Sequence, residues 1–126
     1  MYRRFKTTSG KDILIGKSAE ENDYLSIQDE NISGDHIWMH VSGHAGSHLV
    51  LQECYTNVTE EELREAASLV AYYSKAKNLH IVKVHHCVRK NVSKWHNDSP
   101  GRVMIKDYKV IMADPEVGKN IVEREE

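Results

Sequence analysis

Residues 36–48 read HIWMHVSGHAGSH, and this stretch constrains the fold more than any other. Histidine recurs at 36, 40, 44 and 48, a spacing that would line one face of a helix. A helix is nonetheless a poor outcome here. Gly43 and Gly46 each cost about 1 kcal/mol against alanine in a helix interior, and Ser42 and Ser47 add to that. The alternation fits a strand: Ile37, Met39 and Val41 point one way, His36, Trp38 and His40 the other. Residues 42–46 then form a turn and 47–53 a second strand. The four-residue histidine spacing therefore crosses three elements, with His44 at the turn.

The rest of the chain reads around that hairpin. Residues 2–8 read as a strand start, Tyr2, Arg4 and Lys6 against Arg3 and Phe5, and residues 12–16 as a second strand after the Ser9-Gly10 turn, so 2–16 is expected to be a second hairpin. Ser18 with Glu21 three residues on is a capping box, and a helix of about two turns follows through Asn22, Tyr24, Leu25 and Ile27. Thr59 with Glu62 is another. Leu63, Ala66, Ala67, Val70 and Ser74 recur at helical spacing behind it. The acids at 60–62 suit the positive end of that helix's dipole, Lys75 and Lys77 its negative end, and Asn78 is expected to close it. Residues 80–88, 102–105 and 108–112 read as strands, the last two joined by Lys106-Asp107. Pro115 limits the sheet. The expected fold is α+β: a single mostly antiparallel sheet with two helices packed on it. A chain of 126 residues is expected to form one domain over 1–126, with a core of about 3–115 and a charged C-terminal tail over 116–126.

No apolar run approaches the roughly 20 residues a membrane helix needs, and the N-terminus has no apolar signal-peptide region. Cys54 and Cys87 form no CxxC pair and lie in apolar runs. They are expected to be free thiols in a reducing cytoplasm.

Charge separates function classes better than the net value of −2. Between Ser18 and Ala66 there are eleven acids and one base, Arg64; between Lys75 and Lys109 there are nine Lys or Arg and two acids. Such a split can create a local anion-binding face. Lys75, Lys77, Lys83, Arg89, Lys90, Lys94 and Arg102 are interleaved with His85, His86, Trp95 and His96, the mix that holds phosphates and stacks unpaired bases. Alternatively, the acidic and basic regions face each other in the fold, or the basic run is a solvated charged face with Trp95 tucked into the core. A metal-dependent hydrolase would use His40 and His48 with His85, but no HExxH or CxxC accompanies them. A protein-docking module would use the acidic residues at 53–65. No nucleophile motif, phosphate loop or acid–base carboxylate pair stands out, so no catalytic residue, metal or cofactor is expected.

Longer patterns carry a resemblance. Phe5-x4-Gly10 is followed by Ile15-Gly16-Lys17-x4-Asn22-Asp23-x-Leu25. Then comes Asp35-x2-Trp38-x-His40-Val41-x4-Gly46-Ser47-His48-x-Val50. Ser74-Lys75-Ala76-Lys77, Val92-Ser93-Lys94, Pro100-Gly101-x-Val103 and Pro115 continue the match. Over residues 3–115 the sequence resembles the NFACT RNA-binding domain, the C-terminal module of ribosome quality-control proteins once described as fibronectin-binding. It looks like the short, stand-alone bacterial form. The resemblance implies a non-catalytic, cytoplasmic RNA-binding module for tRNA or ribosomal RNA, including that of the large subunit, with no membrane partner. The residues expected at the RNA are Lys17, Trp38, His40, His48, Lys75, Lys77, Arg89, Lys94 and Arg102. Two departures stand out. Lys17 stands where the longer proteins often carry arginine, which keeps the charge but loses the planar fork. Trp95-His96-Asn97-Asp98 stands where short members tend to have Gly-Ala.

Overall fold

The computed structural model describes residues 1–95 and 98–125; the roles considered for His96 and Asn97 lie outside them. Among the described residues, eight strands and three α-helices follow in the order β1 (Arg3–Lys6), β2 (Asp12–Ile15), α1 (Ala19–Asp23), β3 (Ile37–Val41), β4 (Leu49–Leu51), α2 (Glu60–Tyr72), β5 (Val82–Val88), β6 (Val92–Ser93), β7 (Met104–Ile105), β8 (Lys109–Ala113) and α3 (Pro115–Arg124). Six strands form one sheet in the order β1-β2-β4-β3-β5-β8, every neighbour pair antiparallel. β6 and β7 make a separate two-stranded ribbon. The fold is α+β, as the alternating stretches require.

The pleat divides the core in two. Ile13, Ile15, Ile37, Met39, Val41, Leu49, Leu51, Val82 and Val84 face α2 and α3, with Ala66, Ala67, Leu69, Val70 and Ile121 completing that layer. On the opposite face Leu14, Trp38, Val50 and Cys87 are buried with Tyr2, Leu25, Ile32 and Val92. The alternation read in IWMHV is thus realised, because the strand has helices on one side and the 24–32 segment on the other.

Three expectations are corrected. Most of the expected charged tail is a helix: residues 115–124 are helical, capped by Asp114, whose carboxylate accepts from Glu116 N at 2.9 Å, with Pro115 in the first turn. Proline suits that position because its missing N–H would have had no partner. The long helix stops at Tyr72 rather than near Asn78; Ser74 leaves the helix to bridge Gly46. The strands around 102–105 and 108–112 do not belong to one sheet, since β7 pairs β6 and β8 pairs β5.

Thr59 caps α2 with the reciprocal hydrogen bonds of a capping box. The acids of α2 do more than serve the dipole. Glu65 accepts from Thr8 N and Oγ1, both at 2.8 Å, and Glu62 accepts from the Ser9 hydroxyl. The Ser9 hydrogen bond, with that from Thr59, holds the Glu62 carboxyl below the usual carboxylate range.

Candidate nucleic-acid interface

The β3–β4 hairpin brings His40 opposite His48. Trp38 pairs Val50 and Met39 pairs Leu49, so the same register carried one residue further sets the two histidines opposite each other, their rings edge-on at 72°. Their ring centroids are 4.9 Å apart, and the Trp38 ring meets His48 edge-on at 5.2 Å. α1 continues into a π-helical turn, Tyr24–Gln28, and this turn delivers Ser26. The Trp38 indole donates to Ser26 Oγ at 2.7 Å, and the same oxygen lies 2.8 Å from His48 Nδ1. Asn22 Oδ1 accepts from the His48 backbone N–H at 3.0 Å. The cluster therefore ties the hairpin to the helix beneath it.

Burial keeps both imidazoles neutral. It pushes His48 down to about 3, with the neighbouring His40 adding to the effect, and hydrogen bonds with the Asn22 and Gly101 backbone opposing it. Burial first, then His85, lowers His40 to about 4.

Gly46 fixes how the hairpin meets the end of α2. A Cβ there would lie 2.7 Å from Ser74 Cβ and 3.0 Å from its Cα, closer than real side chains approach. The two segments exchange backbone hydrogen bonds: Ser47 N donates to Tyr73 O and Lys75 N to Ala45 O. This contact turns Lys75 and Lys77 toward the hairpin rather than along a helix.

The result is an open groove of about 880 Å³ lined by Arg3, Lys17, His40, Tyr73, Lys75, Lys77 and Arg102, among others. Five of its lining residues are Lys or Arg and none is Asp or Glu. The Arg3 guanidinium lies 4.7 Å from the Tyr73 ring centroid. Arg102 reaches Asp98 only at 3.9 Å. Among the described residues, Arg3, Lys17, Lys75 and Lys77 make no ion pair. Such cations are available to an anionic chain.

Of the nine expected residues, Lys17, His40, Lys75, Lys77 and Arg102 meet at this groove. Trp38 and His48, each 1% exposed, stand behind His40 as its support. Four expectations are corrected, because Trp38 and His48 are buried away from any RNA and Arg89 and Lys94 turn inward. The Arg89 guanidinium is buried and donates to the carbonyls of Leu25, Asp29 and Ile32 at 2.8–3.0 Å; it pins the 25–32 segment and cannot clasp a phosphate. Lys94 donates to the carbonyls of Ser99 and Arg102 and lies 3.3 Å from Asp23, so it braces the loop that presents Arg102. Arg3, Tyr72 and Tyr73 join the groove without any motif in the sequence to mark them. The pairing of residues 2–16 as a hairpin is the one signal for Arg3, since it sets Arg3 opposite Ile15, close to Lys17.

The other arrangements fare differently. Among the described residues no three His, Cys, Asp or Glu side chains converge to hold a metal ion. Within the acidic stretch at 53–65, Glu62 and Glu65 are turned into the β1–β2 turn and Glu60 pairs with Arg64. Cys87 is buried and Cys54 half-buried, both free thiols. No helix among the described residues is long and apolar enough to cross a membrane.

A family model described as the NFACT protein RNA binding domain matches residues 1–107. The sequence is 32% identical over 112 residues to the Rqc2 homolog RqcH of Bacillus subtilis, covering 89% of this chain and 19% of that protein. It is 31% identical over 113 residues to the Rqc2 homolog RqcH of Streptococcus suis, covering 89% and 20%. This chain thus spans about a fifth of the length of the curated relatives it matches. Among solved structures, the C-terminal part of the fibronectin/fibrinogen-binding protein from Streptococcus suis superposes with a TM-score of 0.86 at 28% identity. That match covers 95% of this chain and 49% of the other.

Proposed function

The chain belongs to the NFACT protein RNA binding domain family, and from that premise we propose that it is a non-catalytic module that holds the phosphate backbone of tRNA or ribosomal RNA in the groove between the β3–β4 hairpin and the end of α2. The observation that carries this reading is the groove's lining, five cationic side chains and no carboxylate. Phosphates are the anions such a lining suits, because each neutralised phosphate releases condensed counterions. Lys17, Lys75, Lys77, Arg102 and Arg3 hold the phosphates; His40, neutral and partly exposed, supplies a hydrogen-bonding edge; Trp38 and His48 keep His40 in place. The similarity to Rqc2 homologs supports a role in ribosome-associated quality control, with tRNA or ribosomal RNA, that of the large subunit included, as the ligand.

The test is fluorescence anisotropy with labelled tRNA and ribosomal RNA fragments across a salt series. Binding should weaken as salt rises. Replacing Lys75 and Lys77 together by alanine should weaken it for every RNA and reduce the slope of log K against log salt by roughly 0.7–0.9 for each phosphate no longer neutralised. Absence of binding at low salt, or an unchanged slope in the double variant, removes the groove as the site.

A further inference from the structure

The sheet face that carries the Trp38–His48 cluster is only partly covered. At one end Trp38 and Cys87 are buried under the 24–32 segment and Val92. Toward the other end of β5 and β8 the cover stops. His85 is half-buried, Lys83 is exposed, and Tyr108, Val110 and Met112 are 47%, 50% and 49% exposed. Register puts these on one face: Val110 lies opposite His85 and Met112 opposite Lys83. The His85 ring rests on the Tyr108 ring with centroids 4.4 Å apart and a tilt of 40°. An open face of an antiparallel sheet normally carries polar side chains; here the outward positions of the edge strand β8 are the aliphatic Val110 and Met112, with Tyr108 just ahead of it.

This patch is continuous with the groove. His40, in the groove wall, pairs directly with His85 across β3 and β5. The step from β3 to β8 is two strand spacings, roughly 10 Å. The nearest charge facing the patch from β5 is Lys83, of the same sign as the groove. A chain whose phosphates lie in the groove therefore passes beside a surface with the wrong chemistry for phosphate and the right chemistry for a base. Aromatic and apolar side chains stack on any base that shows its face. A paired base inside a duplex shows none.

We propose that Tyr108, His85, Val110 and Met112 form a platform on which unpaired bases of the bound RNA stack, so that the chain selects RNA with a single-stranded segment over blunt duplex. This rests on the groove holding the phosphates. The ligand class is thus a single strand, or a duplex with an overhang or loop.

The experiment compares an unstructured uridine-rich strand with a blunt RNA duplex of equal length, both labelled, by anisotropy. Tyr108→Ala should weaken strand binding by roughly five- to a hundredfold. It should leave duplex affinity and the salt slope unchanged. Tyr108→Phe should bind as the parent does, and Val110→Ser, at a half-exposed position, should give a smaller loss in the same direction. Lys75→Ala with Lys77→Ala should instead weaken both RNAs. If Tyr108→Ala and Val110→Ser bind the strand normally, or weaken strand and duplex alike, the platform is wrong and the groove stands. If the parent binds neither RNA, both readings fall. Self-association that Tyr108→Ala disperses while RNA binding is untouched assigns the patch to a second copy and also overturns the proposal.

Discussion

Ser26 shows how much one hydroxyl organises. It takes the Trp38 indole hydrogen and meets His48 Nδ1 in a site closed to water. An imidazole held this way resists protonation. In the folded chain His48 accepts a proton only near pH 3 and His40 near pH 4, against an ordinary value of 6.5. As pH falls below about 6.5 the unfolded chain takes up protons that the folded chain refuses, so stability drops. The loss is complete only below the folded values. Urea unfolding should therefore show a midpoint falling between pH 7 and pH 4.5, beyond what His48→Gln shows over the same range. Parallel pH dependence in the two proteins would mean that His48 is not kept neutral. Trp38, His40 and His48 are legible in the sequence as a framed polar centre, because strand alternation puts them on one face. Ser26 is not. The π turn changes the angular step after Asp23, and ordinary helical spacing does not aim residue 26 at the hairpin.

At the scale of elements, α3 is the least legible. A short stretch with Glu116, Lys119, Glu123 and Arg124 resembles a solvated tail, although Asp114-Pro115 is a helix-start signature. A second clue lies in α2. Glu65 to Ala71 is buried without a break, which one sheet face alone would not cause. α3 supplies the other surface. Its Gly118 sits where a Cβ would be 2.1 Å from Ser68 O and 3.0 Å from Leu69 N, and Arg124 reaches Lys6 O and Thr8 Oγ1. Gly118→Ala decides between two effects. On a free helix it would stabilise by about 1 kcal/mol through propensity. Against α2 it forces the helices apart, a cost of about 1–3 kcal/mol. Chemical denaturation should show a net loss; a gain would mean that α3 is not docked.

Across the whole molecule, the charge split in the sequence foretells a cationic face but not its membership. Lys75, Lys77 and Arg102 reach the groove, while Arg89 and Lys94, from the same basic run, turn inward to backbone carbonyls. A charge run counts cations; only the packing gives their direction. The groove is drawn from residues near 3, 17, 40–47, 72–78 and 100–102, stretches that meet only in the folded chain. With RNA seated in the groove as proposed, that discontinuity makes it a folding ligand. An unfolded chain keeps the charges but has no groove, so each bound RNA withdraws a folded molecule from the unfolding equilibrium. At a hundredfold excess over Kd the gain is about 2.7 kcal/mol. The melting temperature should rise with RNA concentration, and the rise should vanish in the Lys75→Ala, Lys77→Ala double variant; an equal rise in both would place the RNA elsewhere. Wherever RNA is abundant, the stability that matters is then that of the complex, set as much by ligand supply as by the core.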